Sequence, residues 1–501
     1  MLDQLRNTVK NSFLYSIGNM AGKLSGIILL PLYTKFLPIE EFGLLALLEI
    51  TYLLILSISG FGIKSSLMRF YWDKDLKGRE KSLFYTSYLF NVVISILTIL
   101  VAFLVLKNFS IQLFNTTLSR NLFLAFISSS LIRILVDTPM LLMRIQQKAF
   151  RQTSLQIMIL VVSLGLTVYL IGVRGMGLEA IFLAQLIAYL LALIALGKYI
   201  FKSINFKFDG PLLRELLQFG IPLFLSNLLS VVLVLSDRFI LNYFGTLENV
   251  GNFSLAFKIS NIIQVVFVAS FLNAYTHIFY KQMSESNAGR FYSKTMTYFV
   301  FVIVFVSIGL ILFAKETINV LSMGNQDYLN SYTLIPVLAL GVIFGGIRQI
   351  LILPLSRLKK TRIISTIAVS AGFLNLGLNL LLIPRFSSIG AAISTTLTQI
   401  LASAWLYVLV KKHDTINYEL PKIFKLLFLG VAFYLLTLVV EDFALLWRMV
   451  LKSILYISFF FILYLWKFYE DIELERMKGA WKKWINPKKF WQNISEIKIE
   501  K

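Results

Sequence analysis

The sequence predicts an all-α polytopic membrane protein with about 14 transmembrane helices, and three observations lead to that prediction. Of its 501 residues, 57% are hydrophobic and 15% are charged, whereas roughly 25% are charged in a soluble domain. The mean hydropathy is +0.77. Apolar segments recur from residue 12 to residue 468, and a helix needs only about 20 apolar residues to cross a bilayer. A soluble enzyme with a small membrane anchor is therefore excluded.

Apolar windows along the chain locate the individual spans. They are predicted at residues 12–34, 42–63, 83–106, 121–143, 153–172, 177–197, 215–236, 250–279, 295–314, 331–354, 363–383, 387–410, 423–440 and 446–466. The loops between them are short, so no large soluble insertion is expected.

The charge of the loops predicts the orientation. If both termini are cytoplasmic, the inner segments carry 35 lysines and arginines and the outer segments carry nine. The positive-inside rule requires such an excess on the cytoplasmic side. We therefore predict a multi-pass protein of the cytoplasmic (inner) membrane with both termini in the cytoplasm. The net charge of +22 is interpreted as loop charge facing anionic membrane lipids, and nucleic acid is not an expected partner.

A weak internal repeat predicts the domain organisation. Gly43 near the start of the second span matches Gly251 near the start of the eighth, and Glu40 matches Glu248 at the same offset. Six spans separate the members of each pair, so the halves share one orientation and their pseudo-two-fold axis lies along the membrane normal. The predicted domains are two six-helix bundles (1–200 and 201–411), two further helices (412–468) and a basic aromatic tail (469–501) suited to a lipid surface.

Polar residues on the first span indicate that it lines a hydrated cavity. Ser16, Asn19 and Lys23 fall on one helical face at about 100° per residue. A charge within the membrane is costly unless it has a partner or a wet cavity. The alternative is a polar contact between packed helices, in which an acidic residue pairs with Lys23.

Other charged residues also lie within predicted spans. Lys258 and Asn261 form a similar polar stripe on the eighth span, and Arg348 lies near the inner end of the tenth, where it could reach the surface. Arg133 and Asp137, spaced i and i+4 on the fourth span, can neutralise each other. Glu49 on the second span is a candidate for ion coupling or for a salt bridge to Lys23.

Two segment pairs give the chain a resemblance to a known family. The residues that carry this resemblance are Pro31 to Leu37, Glu41 to Leu44, Asp237 to Leu241 and Val250 to Ile259. With these segments the sequence resembles the oligosaccharide-unit flippases of the polysaccharide transport group, within the multidrug/oligosaccharidyl-lipid/polysaccharide exporter superfamily.

This resemblance implies two six-helix bundles facing a central cavity, with two additional C-terminal helices. It also implies alternating-access transport of polyprenyl-pyrophosphate-linked oligosaccharide units from the inner to the outer leaflet, for surface polysaccharide biosynthesis. A glycan polymerase and glycosyltransferases are further candidate partners. The candidate substrate-binding residues are Lys23, Asn19, Ser16, Lys258, Asn261, Arg133 and Arg348, while Glu49 and Asp137 are candidates for ion coupling or salt bridges.

Missing motifs narrow the function further. The chain has no cysteine, no GxxxxGK[ST] phosphate loop and no catalytic motif, so we expect a transporter without cofactor or metal and not an enzyme. Two alternatives stay open. A cation-coupled multidrug exporter on the same fold predicts an acid-dominated cavity, and a membrane glycan polymerase or ligase would usually have a large external loop.

Overall fold

A computed structural model describes residues 26–475 except 27, 283, 284, 286, 415 and 472. Within this part the chain is helical and contains no strand. The α-helices are α1 (Leu30–Phe36), α2 (Ile39–Gly60), α3 (Ile63–Phe70), α4 (Glu80–Phe114), α5 (Arg120–Ile145), α6 (Ala149–Gly172), α7 (Glu179–Ser203), α8 (Gly210–Phe244), α9 (Leu247–Ile263), α10 (Ala269–Lys281), α11 (Ala288–Leu312), α12 (Ala314–Leu321), α13 (Ile335–Arg357), α14 (Thr361–His413), α15 (Leu420–Val440) and α16 (Leu445–Leu465).

The described helices confirm the polytopic membrane class. Twelve helical segments of the described part are long and apolar enough to cross a membrane. One of them, α14, is 53 residues long and is interrupted at Ser387 (φ 51°, ψ −129°), so it covers the two spans predicted at 363–383 and 387–410. The predicted span 12–34 falls largely outside the described residues.

Local sequence accounts for several helix ends. The Asp209 side chain accepts a hydrogen bond from the Leu212 N–H at 3.0 Å and so caps α8. At the start of α9, Thr246 and Asn249 bond each other's backbone N–H groups in a capping box. Such caps satisfy the first N–H groups of a helix, which have no partner within the helix itself.

The helices group into two compact units. The first contains the chain up to Ala288 together with Ala314–Thr415, and the second contains Gly289–Phe313 with Ile416–Lys501. The first unit therefore holds most of both predicted six-helix bundles, while α11 groups with the two C-terminal helices. The division at residues 200, 411 and 468 stays a prediction.

Aromatic packing and a buried ion pair hold the second unit together. The rings of Phe305 and Tyr456 stack with centroids 4.5 Å apart. Tyr456 also lies against Gly309, where a Cβ atom would be 3.0 Å from the phenol oxygen. Lys452 is fully buried and pairs with Glu441 at 2.7 Å. This pairing satisfies a cation that would be costly to bury alone.

A second ionic cluster joins the ends of this unit's helices. Lys294 lies 2.9 Å from Glu419 and also bonds Glu470, while Lys422 lies 3.2 Å from Glu419. Burial alone would raise the pKa of Glu419, but hydrogen bonds from Lys294, Thr297 and Lys422 outweigh it and hold the pKa below its usual value. The hydrogen bond from Lys294 likewise lowers the pKa of Glu470.

Candidate functional site

The two halves of the predicted repeat meet where α2 crosses α9. A Cβ atom on Gly43 would overlap the carbonyl oxygen of Leu247 and lie 3.0 Å from the backbone nitrogen of Gly251. A Cβ atom on Gly251 would in turn overlap the carbonyl oxygen of Ile39. Each glycine therefore meets the carbonyl that lies four residues before the other. This reciprocal contact is the one expected of repeat-related residues beside a two-fold axis.

Polar contacts close this end of the interface. The Tyr328 hydroxyl donates to the Leu37 carbonyl at 2.7 Å, and the Asn325 amide donates to the Thr34 carbonyl at 3.1 Å. The ring of Tyr328 also meets Phe42 edge-on at 5.8 Å. The segment before α2 is thus fastened to the segment before α13.

An ion pair lies beyond the glycine crossing and joins the same two helices. Lys258 Nζ on α9 is 2.9 Å from the Glu49 carboxylate on α2. The Lys258 side chain is 22% exposed and that of Glu49 is 43% exposed, so the pair borders a partly open space. Lys258 Nζ also lies 5.3 Å from the centre of the Phe42 ring.

Lys258 was identified from the sequence, but its partner was not. Glu49 was expected to pair with Lys23 or to serve in ion coupling. Among the described residues, its carboxylate pairs with Lys258. Lys23, Asn19 and Ser16 lie outside the described residues, so their place in a cavity stays a prediction. A contact between helices about 200 residues apart leaves no periodic signal in the sequence.

The helix changes form directly after these residues. Asn261, one turn beyond Lys258, is followed by a π-helical segment, Gln264–Val268, before α10 begins. The Gln264 N–H donates to the Asn261 carbonyl. Single π-helical turns occur often at functional sites. This turn changes the direction of the side chains that follow Asn261.

A buried arginine joins α8 to α9 near the same crossing. Arg238 Nη1 lies 2.7 Å from the Asp237 carboxylate. Its guanidinium group lies 4.2 Å from the centre of the Phe257 ring and 4.9 Å from that of Phe253. Arginine suits this place because its flat cation can pair with a carboxylate and stack on aromatic faces together.

A second charged cluster lies within the first half. The sequence predicted that Arg133 and Asp137 can neutralise each other. In the structure Asp137 lies 2.9 Å from Lys64 and also interacts electrostatically with Arg133. Arg133 lies over two phenol rings, 5.1 Å from the centre of Tyr52 and 5.6 Å from that of Tyr189.

Lys64 was assigned to a loop in the sequence because the second predicted span ends at residue 63. The chain does turn there, since Phe61 and Gly62 both have positive φ angles, 41° and 76°. Helix resumes as α3 and returns Lys64 toward α5. The glycine at 62 is required, because its Cα also lies against the backbone of Gly220.

Arg348 lies on α13 in the second half. Its Nε atom is buried and has no hydrogen-bond partner among the described residues. The same is true of the Gln399 Oε1 and Asn379 Oδ1 atoms on α14. Gly345, one turn before Arg348, leaves space beside Gln399, where a Cβ atom would lie 3.6 Å from Oε1. The interior of this half therefore contains polar groups available for further hydrogen bonds.

The charged groups of the candidate site lie at contacts between helices. Among the described residues, no group of three or more His, Asp or Glu side chains could hold a metal ion. The charged groups instead lie on separate helices whose contacts can form and break. In the described part of the chain, two helices of the predicted repeat thus meet at a glycine contact and an ion pair.

Solved transporters share this fold. The structure titled "Lipid II flippase MurJ, inward closed conformation" matches with a TM-score of 0.70 and 16% identity, over 90% of this chain and 99% of that chain. An inward-facing multidrug resistance MATE family transporter of the MOP superfamily matches with a TM-score of 0.60 and 14% identity, over 79% and 95%. A variant of the Vibrio cholerae MATE transporter VcmN matches with a TM-score of 0.54 and 16% identity, over 81% and 97%.

The family match is more specific than these likenesses. The family model described as "Polysaccharide biosynthesis protein" matches residues 8–276, and the chain belongs to this family. No match was found among curated proteins. The predicted family resemblance is thereby confirmed. The solved structures that share the fold are titled as a flippase and as a transporter, and at 16% and 14% identity they show the fold of this chain.

Proposed function

We propose that this protein moves polyprenyl-pyrophosphate-linked oligosaccharide units from the inner to the outer leaflet of the cytoplasmic membrane by alternating access. The observation that carries the proposal is Lys258, a cation at the junction of the two halves whose carboxylate partner within the described part of the chain is Glu49, at 2.9 Å. A pyrophosphate can replace that carboxylate as the partner of the lysine. Membership of a polysaccharide biosynthesis family supports the substrate class.

The charges in the helices favour an anionic substrate. Arg133 and Arg348 have no carboxylate within 4.0 Å among the described residues, whereas Glu49 and Asp137 each lie 2.9 Å from a lysine. The unpaired charge in this set is therefore positive. The cations and polar side chains on these helices could bind the pyrophosphate group and the sugar hydroxyls of such a substrate, while its polyprenyl chain stays in the bilayer.

The ion pair also provides a way to couple binding to movement. While Lys258 and Glu49 are paired, α2 and α9 are held together. A pyrophosphate that binds Lys258 competes with Glu49 and releases this link, and the link forms again when the substrate leaves. No phosphate loop is present, so the driving force would be an ion gradient, the membrane potential or consumption of the flipped product.

The second candidate function is cation-coupled export of small molecules. Two carboxylates on transmembrane helices, Glu49 and Asp137, favour it, and so does the likeness to MATE transporters. On this hypothesis the carboxylates carry the coupling ion and the lysines only balance their charge. Asp137→Asn would then abolish ion-dependent efflux of organic cations, whereas the flippase hypothesis predicts no such efflux in the wild type.

The test compares Lys258 variants by surface glycan export in cells at matched membrane levels. Lys258→Ala should reduce export at least about tenfold, because a charge-assisted hydrogen bond contributes about 1.5–3 kcal/mol. Lys258→Arg should retain part of the activity since the charge remains. Lys411→Ala, at an exposed lysine at the end of α14, is the control and should export normally.

A charge swap separates substrate binding from a purely structural pair. If Lys258 only pairs with Glu49, the double variant Lys258→Glu with Glu49→Lys should restore export. If Lys258 binds pyrophosphate, the swap should stay inactive because a carboxylate now stands in its place. Full export by Lys258→Ala, or full rescue by the swap, would refute the role proposed for Lys258.

A further inference from the structure

A cavity lies in the first unit, apart from the helix crossing. It has a volume of about 800 Å³ and is formed where the end of α3, the start of α4, the end of α5, the start of α6 and the end of α7 come together. The loop charges predict that this face is cytoplasmic. None of the residues at the glycine crossing or in the Glu49–Lys258 pair contributes to it.

The charge of this cavity is strongly positive. Its single carboxylate is that of Glu80, and its basic side chains are those of Lys81, Lys148, Arg151, Lys198 and Lys202. In the part of the chain that the structure describes, none of these cations lies within 4.0 Å of a carboxylate. Burial and the nearby charge of Arg151 both lower the pKa of Lys148. An anion placed between these cations would relieve their repulsion.

One glutamine fixes the geometry of the cavity wall. Gln146 Nε2 donates to the Tyr71 hydroxyl at 2.7 Å, while Lys148 Nζ and the Tyr199 hydroxyl donate to Gln146 Oε1 at 2.6 and 3.0 Å. Lys148 Nζ also lies 4.7 Å from the centre of the Tyr199 ring. The ammonium group is therefore held in place before any ligand binds, which lowers the entropy cost of binding.

The floor of the cavity is part of the packed core. Phe84, Leu142 and Met143 line it and are almost completely buried in one apolar cluster. At the rim, the Trp72 side chain is 69% exposed. Tryptophan side chains at a membrane surface usually lie among lipid headgroups. The cavity thus combines a rigid apolar floor, a cationic wall and an aromatic rim.

We propose that this cavity binds the phosphorylated headgroup of a ligand at the membrane surface, with the phosphate between Lys148, Arg151 and Lys202. Lysine ammonium and arginine guanidinium groups are the donors that bind phosphate in proteins. The volume exceeds that of one phosphate and leaves room for the rest of a headgroup beside Trp72. The phosphate could belong to an anionic phospholipid or to a soluble phosphate compound.

The experiment measures ligand-induced stabilisation of the full-length protein in neutral detergent at about 0.15 M salt, where exposed charges are screened. The probes are dihexanoyl phosphatidylglycerol, dihexanoyl phosphatidylcholine and sodium pyrophosphate. The test variant is Arg151→Gln with Lys202→Gln, since the structure gives neither side chain a hydrogen bond or ion pair within the described residues. Lys411→Gln with Lys412→Gln removes the same charge from another exposed site and is the control.

We expect phosphatidylglycerol to raise the unfolding temperature of the wild type and of the control, and phosphatidylcholine to have little effect. The apparent affinity of the test variant should fall at least about tenfold, because charge-assisted bonds are lost. If pyrophosphate binds with the same dependence on Arg151 and Lys202, the soluble phosphate is sufficient. If only phosphatidylglycerol binds, the site requires a lipid headgroup. Binding of pyrophosphate and binding of the lipid alone would each support the proposal.

The proposal would be overturned if neither phosphatidylglycerol nor pyrophosphate stabilised the protein, or if the test variant bound as tightly as the control. Lys198→Gln, one turn before Lys202 on α7, provides a single-residue variant in case the double variant unfolds. Because the site shares no residue with the Glu49–Lys258 pair, its failure would leave the proposed transport function untouched.

Discussion

Gly43 and Gly251 show how strongly single residues limit the approach of two helices. Gly43→Ala would place a methyl group against the Leu247 carbonyl, which is backbone and cannot rotate away. Forced overpacking of this kind typically costs about 1–3 kcal/mol. We therefore expect Gly43→Ala to lower the unfolding temperature of the purified protein and to reduce export. Gly165→Ala is the matched control, because no atom lies within 4 Å of its added Cβ.

The control should be neutral or slightly stabilising, since alanine favours a helix over glycine by about 1 kcal/mol. Equal unfolding temperatures for Gly43→Ala and Gly165→Ala would show that α2 and α9 do not meet as closely as the structure indicates.

At this scale the sequence identified which charges lie within the spans but not their partners. Helical spacing predicts that Lys258 lies on a polar stripe, because the neighbours that form the stripe lie on one helix. It favoured Arg133 as the partner of Asp137 for the same reason, whereas Lys64 occupies that place from a different helix. Pairs such as Glu49 and Lys258 depend on how helices pack, and local periodicity contains no information about that packing.

Among the individual elements, the cluster formed by Lys294, Glu419 and Glu470 fastens the start of α11 to the segments before α15 and after α16. The pKa of both carboxyl groups is lowered in the folded protein from the ordinary value of 4.5. A lowered carboxyl pKa stabilises the fold above the unfolded-state pKa, and this contribution disappears as the pH falls through the folded-state pKa.

We therefore expect Lys294→Met to lower the unfolding temperature at neutral pH, and the difference from wild type to shrink as the pH falls below about 4.5. Thermal unfolding between pH 3.5 and 8, followed by intrinsic fluorescence, would measure this. Lys411→Met should show no such pH-dependent difference. If the unfolding temperature of Lys294→Met differed from that of the wild type by the same amount at every pH, the lysine would not lower the pKa of these carboxyl groups.

Hydropathy located the helices well, but it could not describe their interruptions. The predicted spans at 363–383 and 387–410 are separated in the structure only by Ser387, where the backbone leaves the helical region without a loop. The π-helical segment Gln264–Val268 lies inside a single predicted span. Both features change the direction of side chains while leaving the average hydropathy of the segment unchanged.

For the whole molecule, the predicted orientation can be tested directly. A reporter that is active only in the cytoplasm should give signal when fused after Lys411 and none when fused after Lys315. The physical reason is the excess of lysine and arginine in the loops assigned to the cytoplasmic side. The opposite pattern at either position would contradict the count of fourteen spans with both termini inside.

The architecture of the whole chain was predictable because membrane helices must be apolar along their length, and this leaves a strong signal. The sequence contains less information about which of those helices pack together. The predicted boundaries of the two bundles stay a prediction, and in the structure α11 lies in one compact unit with the two C-terminal helices. Lipid and protein surroundings are equally apolar, so hydropathy does not distinguish which neighbour a helix contacts.

The contact between Gly43 and Gly251 can serve as a fulcrum. From Gly43 to Gly60, α2 forms a lever about 25 Å long at the usual rise of about 1.5 Å per residue. A tilt of about 10° at the glycines would displace the far end of this lever by about 4 Å while the backbones stay in contact at the crossing. Because the contact is reciprocal, α9 can tilt in the same way, so a small rotation at the glycines would separate the far ends of the two helices while the crossing stays closed.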